Sequence, residues 1–313
     1  MSLYSGTIGD QIFRTVGTKQ VVYAKPAKVS QPRTEAQMEH RVKWGNRAAF
    51  YRAAKMYLQR CFEGRQKSQS YYNLFVRENM LYPAIYLPKE MVRQGGGIAG
   101  PYTVSRGTLA SIQVNGNGTT AKTDIYLDDL TLDENTSVKD FAKAVVTNNL
   151  TFKYNDQLSF MLFLQGENQQ TGVPIVYATG TQVNLTLNDE RKLLKVAGSY
   201  GFAKSDDGYL SVSSSVPQGS YAWIHSRKNA FGATLVSSQT AIDNNPLLAE
   251  YSSDEARLKA MVSYGLGEKS FITPDNPALN TTADYLTGND TTSGGESSGG
   301  GESSGGGSGS DPL

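Results

Sequence analysis

The sequence predicts an α+β protein: an N-terminal β-hairpin and a helical hairpin, then a β-sandwich-like domain with one or two helices, then a disordered Gly/Ser tail. Residues 34–60 have a helical period behind a capping pattern, and short β-type runs separated by turn residues begin near residue 102. Composition shifts to Gly, Ser, Thr, Asn and Glu after Pro277. We therefore predict a basic hairpin-plus-helices domain, a Gly-rich linker, a β-rich domain and a disordered tail, at residues 1–93, 94–101, 102–277 and 278–313.

The first predicted element is a hairpin. Two short runs, Gln11–Val16 and Gln20–Lys25, flank the turn residues Gly17-Thr18-Lys19. An isolated hairpin is only marginally stable in water unless another surface covers it.

The second element is a basic helix from Thr34 to Arg60. Pro32 holds the residue before it in an extended conformation, and Thr34 supplies a capping hydroxyl. Gln37 stands where its side chain would complete a capping box. These residues predict where the helix begins.

Two faces of this helix carry the main functional expectation. One is a narrow stripe of small and apolar side chains, which lets another backbone approach closely and which we interpret as an assembly seam: Met38, Val42, Gly45, Ala49, Ala53 and Met56. The other is cationic, and with one residue before the cap it is the candidate contact for nucleic acid or an acidic partner: Arg33, Arg41, Lys43, Arg47, Arg52 and Lys55. Neither face carries a reacting group.

A second helix is predicted at Ser68–Met80, returning against the first through aromatic contacts. Interleaved basic and aromatic residues would also suit stacking on single-stranded nucleic acid, which stays an alternative. Residues 94–101 are too rich in Gly for a helix or a central strand, so they are predicted to be a linker. The G-x-G-x-x-G spacing that begins at Gly95 is not a dinucleotide site, because no strand precedes it and Pro101 follows it.

The β-rich half is predicted from short runs between turn residues. The strongest candidate is Leu158–Leu164, which is apolar throughout, as in a strand buried on both faces. Helices are predicted at Ser137–Val146 and Asp254–Tyr264, and His225 is expected to pack in its strand on the side of Trp223. The other predicted strands are Thr108–Val114, Asp124–Leu127, Pro174–Thr179, Gln182–Leu187, Gly201–Lys204, Tyr209–Ser213, Tyr221–Ser226 and Ala233–Ser238.

Charge divides the chain into two unlike halves. The formal net charge is +1, but residues 1–93 hold 16 Lys and Arg against 6 Asp and Glu, whereas residues 94–313 hold 14 against 23. This asymmetry suits a nucleic-acid surface or head-to-tail contact between copies of the chain. The seam on the basic helix favours contact between copies.

Few residues in the sequence can perform chemistry. One cysteine, Cys61, and two histidines, His40 and His225, give no thiolate metal cluster and little scope for a nucleophile and its base. We therefore expect no enzymatic activity, no cofactor, no metal and no small-molecule substrate. No segment has the length and hydrophobicity of a membrane span or the pattern of a signal peptide, so we expect neither a membrane partner nor export.

Three motifs resemble an uncharacterised domain family of Bacteroidota genomes and their tailed phages. They are G-x-x-G-x-x at Gly6–Gln11, a motif close to N-P-R-T-x-x-Q-x-x-x-R at Gln31–Arg41, and S-R-G-x-L at Ser105–Leu109. Gln31 replaces the usual Asn, and an Ile/Phe/Val hairpin replaces the usual Gly/Trp-rich one. The family has no established activity. The resemblance implies a phage or prophage setting, in which a non-enzymatic virion component is the commonest role.

From these observations we predict a structural component of a phage particle, in its capsid, neck or tail, that self-assembles or docks to other virion proteins. Its expected location is the virion, assembled in the bacterial host cytoplasm. A nucleic-acid-binding protein that uses the helix 34–60 is the alternative. A surface adhesion module built on the β-rich half is a third hypothesis.

Overall fold

The computed structural model describes residues 5–16, 19–25 and 34–265. Within these ranges the helices are α1 (Glu35–Leu58), α2 (Tyr71–Glu78), α3 (Lys89–Arg93), α4 (Val138–Asn148), α5 (Leu193–Ala197), α6 (Leu248–Tyr251) and α7 (Asp254–Ser263). The strands are β1 (Gly6–Ile8), β2 (Gln11–Val16), β3 (Lys19–Ala24), β4 (Thr103–Ser105), β5 (Val114–Asn115), β6 (Lys122–Tyr126), β7 (Gln157–Glu167), β8 (Pro174–Asn184), β9 (Ala203–Lys204), β10 (Tyr209–Ser211), β11 (Gly219–Lys228), β12 (Thr234–Val236), β13 (Gln239–Thr240) and β14 (Ile242–Asn244). The predicted α+β class is confirmed. Arg33 and the predicted disordered tail lie outside the described residues.

The N-terminal residues form a three-stranded antiparallel sheet in the order β1-β2-β3, which we call the N-terminal sheet. The predicted hairpin is confirmed as β2 and β3, which pair from Gln11 opposite Ala24 to Val16 opposite Lys19. The sequence does not predict β1, because three residues are too few to show a pattern. Gly9 permits the β1–β2 turn by adopting a φ of +58°.

The two predicted helices after the N-terminal sheet are present as α1 and α2. The Gln37 N–H donates to the Thr34 hydroxyl over 3.4 Å, so α1 begins at the predicted cap. The Phe50 ring of α1 stacks on the Phe75 ring of α2 with 5.8 Å between centroids. These aromatic side chains therefore fill a helix–helix contact, which was the first of their two predicted roles.

The largest sheet, which we call the main sheet, has the strand order β12-β11-β7-β8, and β14 also pairs with β11. Its pairs are antiparallel. β7 contains the predicted core strand, and its side chains alternate between two clusters. Leu158, Phe160 and Leu162 belong to one cluster, and Met161 and Phe163 to the other. The strand is buried on both faces, as its apolar sequence predicts.

The two strands predicted at 174–179 and 182–187 are a single strand, β8. The sequence Ala-Thr-Gly-Thr between them resembles a turn, but Gly180 continues the pairing with Met161. A Cβ at Gly180 would lie 2.8 Å from the ring of Tyr57 on α1. The glycine therefore marks a close contact between α1 and the main sheet.

A second layer covers the far face of the main sheet. It consists of a smaller sheet, in the order β5-β6-β10-β9, and of α4 and α5. Phe141 of α4 and Trp223 of β11 are fully buried in the cluster between the layers. Of the strand predicted at 108–114, only the last residue belongs to a strand. Residues 108–113 are held mainly by an isolated β-bridge and by hydrogen bonds to side chains, so they form no regular strand.

The near face of the main sheet carries α1 and α2, and this core joins the two predicted halves of the chain. Phe50 of α1 lies 4.7 Å from Phe163 of β7, measured between ring centroids. The Gly-rich segment 94–101 is part of the same core: Ile98 is fully buried, and its N–H donates to the Asn46 side chain over 2.8 Å. The segment predicted to be a linker therefore connects α1 to the main sheet rather than separating two domains.

Candidate functional site

The stripe interpreted as an assembly seam is mostly covered by the protein itself. Met38 and Val42 are fully buried and pack against Ala260 and Met261 of α7. A Cβ at Gly45 would lie 2.8 Å from the Val92 side chain of α3. The close backbone approach predicted from the small residues is present, but the partners belong to the same chain.

The last three members of the stripe differ in exposure. Ala49 contacts Gly97, since a Cβ there would lie 3.2 Å from the Ala49 methyl group. Ala53 packs against the shared core, whereas Met56 is 82% exposed. Met56 is therefore the one seam residue left open to a partner, and the predicted assembly contact along this stripe is corrected to an intramolecular one.

The cationic residues of α1 are also divided. Arg41, Arg52 and Lys55 are exposed. Lys43 is half-buried, and its ammonium lies 2.6 Å from Glu39 one turn earlier. Arg47 is completely buried, so it is not available to a phosphate group.

Arg47 instead fixes the C-terminal end of α2. Its Nε donates to the Asn79 carbonyl over 2.5 Å and its Nη2 donates to the Met80 carbonyl over 2.7 Å. Carbonyl groups at a helix end carry partial negative charge, which suits a guanidinium. Burial lowers the pKa of Arg47, although nearby tyrosines act in the opposite direction.

A different surface brings several polar side chains together. α1 ends at Leu58, but the main sheet continues past it, so the near face of the sheet is open beyond Tyr57. The face that is apolar under α1 becomes polar there, and it forms the floor of a cavity of about 630 Å³. We call this cavity the polar groove, and its floor is formed by Gln157, Ser159, Gln182, Asn184 and Ser226.

The register of the main sheet places the floor residues in two rows. Gln157 of β7 lies opposite both Ser226 of β11 and Asn184 of β8, and Ser159 lies opposite Gln182. The Ser226 hydroxyl donates to Gln157 over 3.4 Å, and the Gln157 amide donates to Asn184 over 2.9 Å. Hydrogen bonds thus connect three of the five floor residues, and the amides and hydroxyls of the floor offer both donors and acceptors to a ligand.

Two cationic side chains stand at the polar groove. Arg60 follows α1 with a φ of +68°, and Lys228 ends β11. Arg227, which precedes Lys228, also borders the cavity, but its side chain alternates onto the opposite face of the main sheet. None of the residues lining the groove is Asp or Glu.

Arg227 is anchored by a buried carboxylate. Its Nε and Nη2 donate to the two oxygens of Asp156 over 2.7 and 2.6 Å, and Nη2 also donates to the Thr151 carbonyl. His225 Nε2 lies 2.8 Å from Asp156 Oδ2, and because an ionised carboxylate only accepts, the imidazole donates. His225 is a packed strand histidine, as predicted, on the ring of Phe152. The sequence does not predict its carboxylate partner.

The environment sets the charge state of this trio. Burial raises the pKa of Asp156, but hydrogen bonds from Arg227, the Lys153 N–H and His225 outweigh it, and the pKa lies below its ordinary value. Burial lowers the pKa of His225, and the bond to Asp156 only partly offsets this effect. At neutral pH the trio is therefore an ion pair with a neutral imidazole.

Cys61 also lies at the polar groove, but it is not poised as a nucleophile. Burial raises the pKa of its thiol to about 12, so the thiol stays protonated at neutral pH. Among the described residues, no group of three or more His, Cys, Asp and Glu side chains is placed to hold a metal ion. No helix in that part of the chain is long and apolar enough to cross a membrane.

Comparisons of the chain with family models, with curated proteins and with solved structures each found no match. The resemblance to the Bacteroidota and phage family therefore stays a prediction.

The sequence does contain a pattern that indicates the polar groove: one face of β7 and of β8 changes between apolar and polar residues along the strand. Locating the strands alone does not reveal this pattern. β7 begins with Gln157 and Ser159 on the face that later carries Met161, and β8 ends with Gln182 and Asn184 on the face of Gly180. A strand that changes from apolar to polar on one face indicates that its cover ends there. Only the pairing of β7 with β8 shows that the two polar ends lie side by side, and only the position of α1 shows that they are uncovered.

Proposed function

We propose that the chain is a non-enzymatic structural component of a phage particle that assembles with other copies of itself through the N-terminal sheet. The observation that carries the proposal is the exposure of β3 along its whole length. This sheet takes the place of the α1 stripe as the assembly surface, because that stripe is occupied within the chain.

One face of the N-terminal sheet presents apolar side chains. Val21 and Tyr23 alternate onto the same face, where Tyr23 lies opposite Ile12 of β2. Val21 and Tyr23 are each 44% exposed. Apolar side chains grouped on an exposed sheet face are typical of a protein–protein contact.

Charge favours another copy of the chain as the partner. The described part of the N-terminal sheet and its turns exposes three cations and one carboxylate. The cations are Arg14, Lys19 and Lys25, and the carboxylate is Asp10. The β-rich half presents an acidic loop at residues 128–134, which contains four exposed carboxylates and no cation. Opposite charges on these two segments support contact between the N-terminal sheet of one copy and the acidic loop of another.

The phage setting is supported by the resemblance of three motifs to a family of Bacteroidota and their phages. There the chain would lie in the virion and also dock to other virion proteins. Mass spectrometry of density-purified particles from a lysing culture of the source bacterium tests this setting, and absence of the chain from those particles would refute it.

Nucleic-acid binding through α1 remains the alternative. Of the six cations that the sequence suggests, five are described, and Arg41, Arg52 and Lys55 are the exposed ones among them. Because Arg47 is buried and Lys43 is paired with Glu39, the cationic face is smaller than predicted. The assembly proposal is therefore the better supported of the two.

Light scattering after size exclusion tests the assembly. We expect the full-length chain to form a defined oligomer at about 50 mM salt and to dissociate at about 500 mM, because salt screens exposed charges. The double variant V21K/Y23K should be monomeric under both conditions, since it places charge on the proposed contact.

The matched control is L150K/F231K, which changes two exposed apolar side chains outside the N-terminal sheet. This control should assemble like the unmodified chain. A monomeric full-length chain, or a V21K/Y23K variant that still assembles, would show that the N-terminal sheet is not the contact.

A further inference from the structure

The polar groove differs from the rest of the main sheet in its chemistry. The face of the main sheet under α1 is mainly apolar, yet the groove floor is a run of amides and hydroxyls with Ser159 and Ser226 buried at its base. The cavity volume of about 630 Å³ falls within the range of about 300–1,000 Å³ that is usual for sites that bind small ligands.

Two cations at the groove lack a carboxylate partner. Within the described ranges, neither Arg60 nor Lys228 forms an ion pair, although both are exposed and line the cavity. Arg227 adds no free charge there, because its guanidinium is paired with Asp156 and alternates with His225 onto the opposite face of the main sheet. The groove therefore carries an uncompensated charge of two cations above a neutral polar floor.

We propose that the polar groove binds a short anionic oligosaccharide. Sugar hydroxyls both donate and accept hydrogen bonds, as do the side chains of Gln157, Gln182 and Asn184, while Arg60 and Lys228 would bind the carboxylate or phosphate groups. Tyr57 provides a half-buried aromatic wall above Gly180, against which an apolar sugar face can pack. This proposal does not depend on the assembly proposal, because the groove and the N-terminal sheet are separate surfaces.

Other ligand classes match the groove less well. A peptide that binds a sheet adds to an open strand edge and uses apolar pockets for its side chains, whereas the groove lies over the face of the sheet and is lined mainly by polar groups. Single-stranded nucleic acid is held by a series of aromatic platforms, and the groove has one aromatic residue, Tyr57. Saccharides need neither feature.

Isothermal titration calorimetry on the full-length chain tests the proposal with defined probes. We expect trigalacturonic acid to bind, and the neutral trisaccharide maltotriose to bind at least about tenfold more weakly, because it lacks the charges that Arg60 and Lys228 would pair. The variant R60Q/K228Q should lose at least about tenfold in affinity for trigalacturonic acid. The variant Q182A/N184A should weaken both trisaccharides, since it removes floor amides and leaves the cations.

The matched control is K143Q/K195Q, which removes two exposed lysines from α4 and α5 on the opposite face of the main sheet. Its affinity should stay within about twofold of the unmodified chain. Three results would overturn the proposal: no heat of binding with trigalacturonic acid at millimolar concentration, equal affinity in R60Q/K228Q and the control, or equally tight binding of inorganic phosphate or triglutamate. Phosphate would indicate a simple anion site, and triglutamate a site for acidic peptides.

Discussion

Arg47 shows why a cation on a predicted helix does not reveal its own role. Its place among other basic residues suggests an exposed phosphate contact, but the structure buries it against the carbonyls that end α2. Helix periodicity shows on which face of the helix a side chain lies. It does not show which faces are covered by other elements of the protein. Burial of Arg47 depends on where α2 returns, and helix periodicity alone does not determine that.

The trio of Asp156, His225 and Arg227 makes stability depend on pH. Because the pKa of folded His225 lies below its ordinary value of 6.5, the unfolded chain takes up a proton first as the pH falls. We therefore expect the free energy of unfolding to decrease below about pH 6.5, by at most about 1.4 kcal/mol per pH unit from this group. Asp156 adds a further loss only at a lower pH, below its ordinary value of 3.8, since its folded pKa is depressed.

Urea unfolding at pH 7 and pH 5 measures this effect. In H225Q the difference between the two pH values should shrink, because a glutamine amide can donate to Asp156 and does not titrate. The control H40Q makes the same change at an exposed position on α1 and should keep the pH dependence of the unmodified chain. If H225Q keeps the full pH dependence, the buried imidazole is not its source.

At the scale of elements, local chemistry predicts where many of them begin. Thr34, Ser70, Ser137 and Ser253 cap α1, α2, α4 and α7 through their side chains, and three of these helix starts follow from sequence. Local chemistry is a poorer guide to whether a glycine marks a turn, because tertiary contacts also place glycines within strands. Gly180 resembles a turn residue, yet it pairs with Met161 within β8, and its missing side chain leaves room for Tyr57.

Gly219 is required where β11 meets both β7 and β14. Its φ is +145°, and a Cβ there would lie 2.0 Å from the Phe163 carbonyl oxygen. We expect G219A to lower the free energy of unfolding by about 3 kcal/mol, since a backbone atom must move to admit the methyl group. Denaturant unfolding at pH 7 gives this value directly.

Gly232 provides the comparison, because its φ is +76° but no atom lies within 4 Å of an added Cβ. G232A should therefore cost only the backbone strain, about 1 kcal/mol. Equal losses in the two variants would mean that the clash at Phe163 is relieved without cost.

At the scale of the whole molecule, the sequence predicts a helical part and a β-rich part but not their common core. A Gly-rich segment normally separates domains, and residues 94–101 have that composition. Here glycines serve close packing instead, since Gly97 lies against α1 and Gly100 against Ile85. Composition does not distinguish a flexible segment from a tightly packed one, and the polar groove escapes prediction for a related reason, because it is formed by elements distant in sequence.

The shared core predicts that residues 102–265 do not fold without α1 and α2. Removing these helices uncovers Met161, Phe163, Ile224 and Val236, each worth about 1.5–3 kcal/mol when buried. Their sum is comparable with the total stability of about 5–15 kcal/mol that is usual for a domain. The fragment 102–265 should lack a cooperative unfolding transition by circular dichroism, whereas the fragment 34–265 should show one.

A sharp transition in the fragment 102–265, together with dispersed amide resonances, would demonstrate that the β-rich half is an independent domain. The same result would restore the boundary that the Gly-rich segment suggests.

The contact between Phe50 and Phe163 also has a consequence for biosynthesis. Translation proceeds from the N-terminus, so the buried face of α1 leaves the ribosome well before β7, β11 and β12 exist to cover it. Contacts between residues far apart in sequence delay folding because a long loop must close first. The apolar face of α1 therefore stays uncovered in the nascent chain until these strands have been made, and exposed apolar surface of this kind is what chaperones bind.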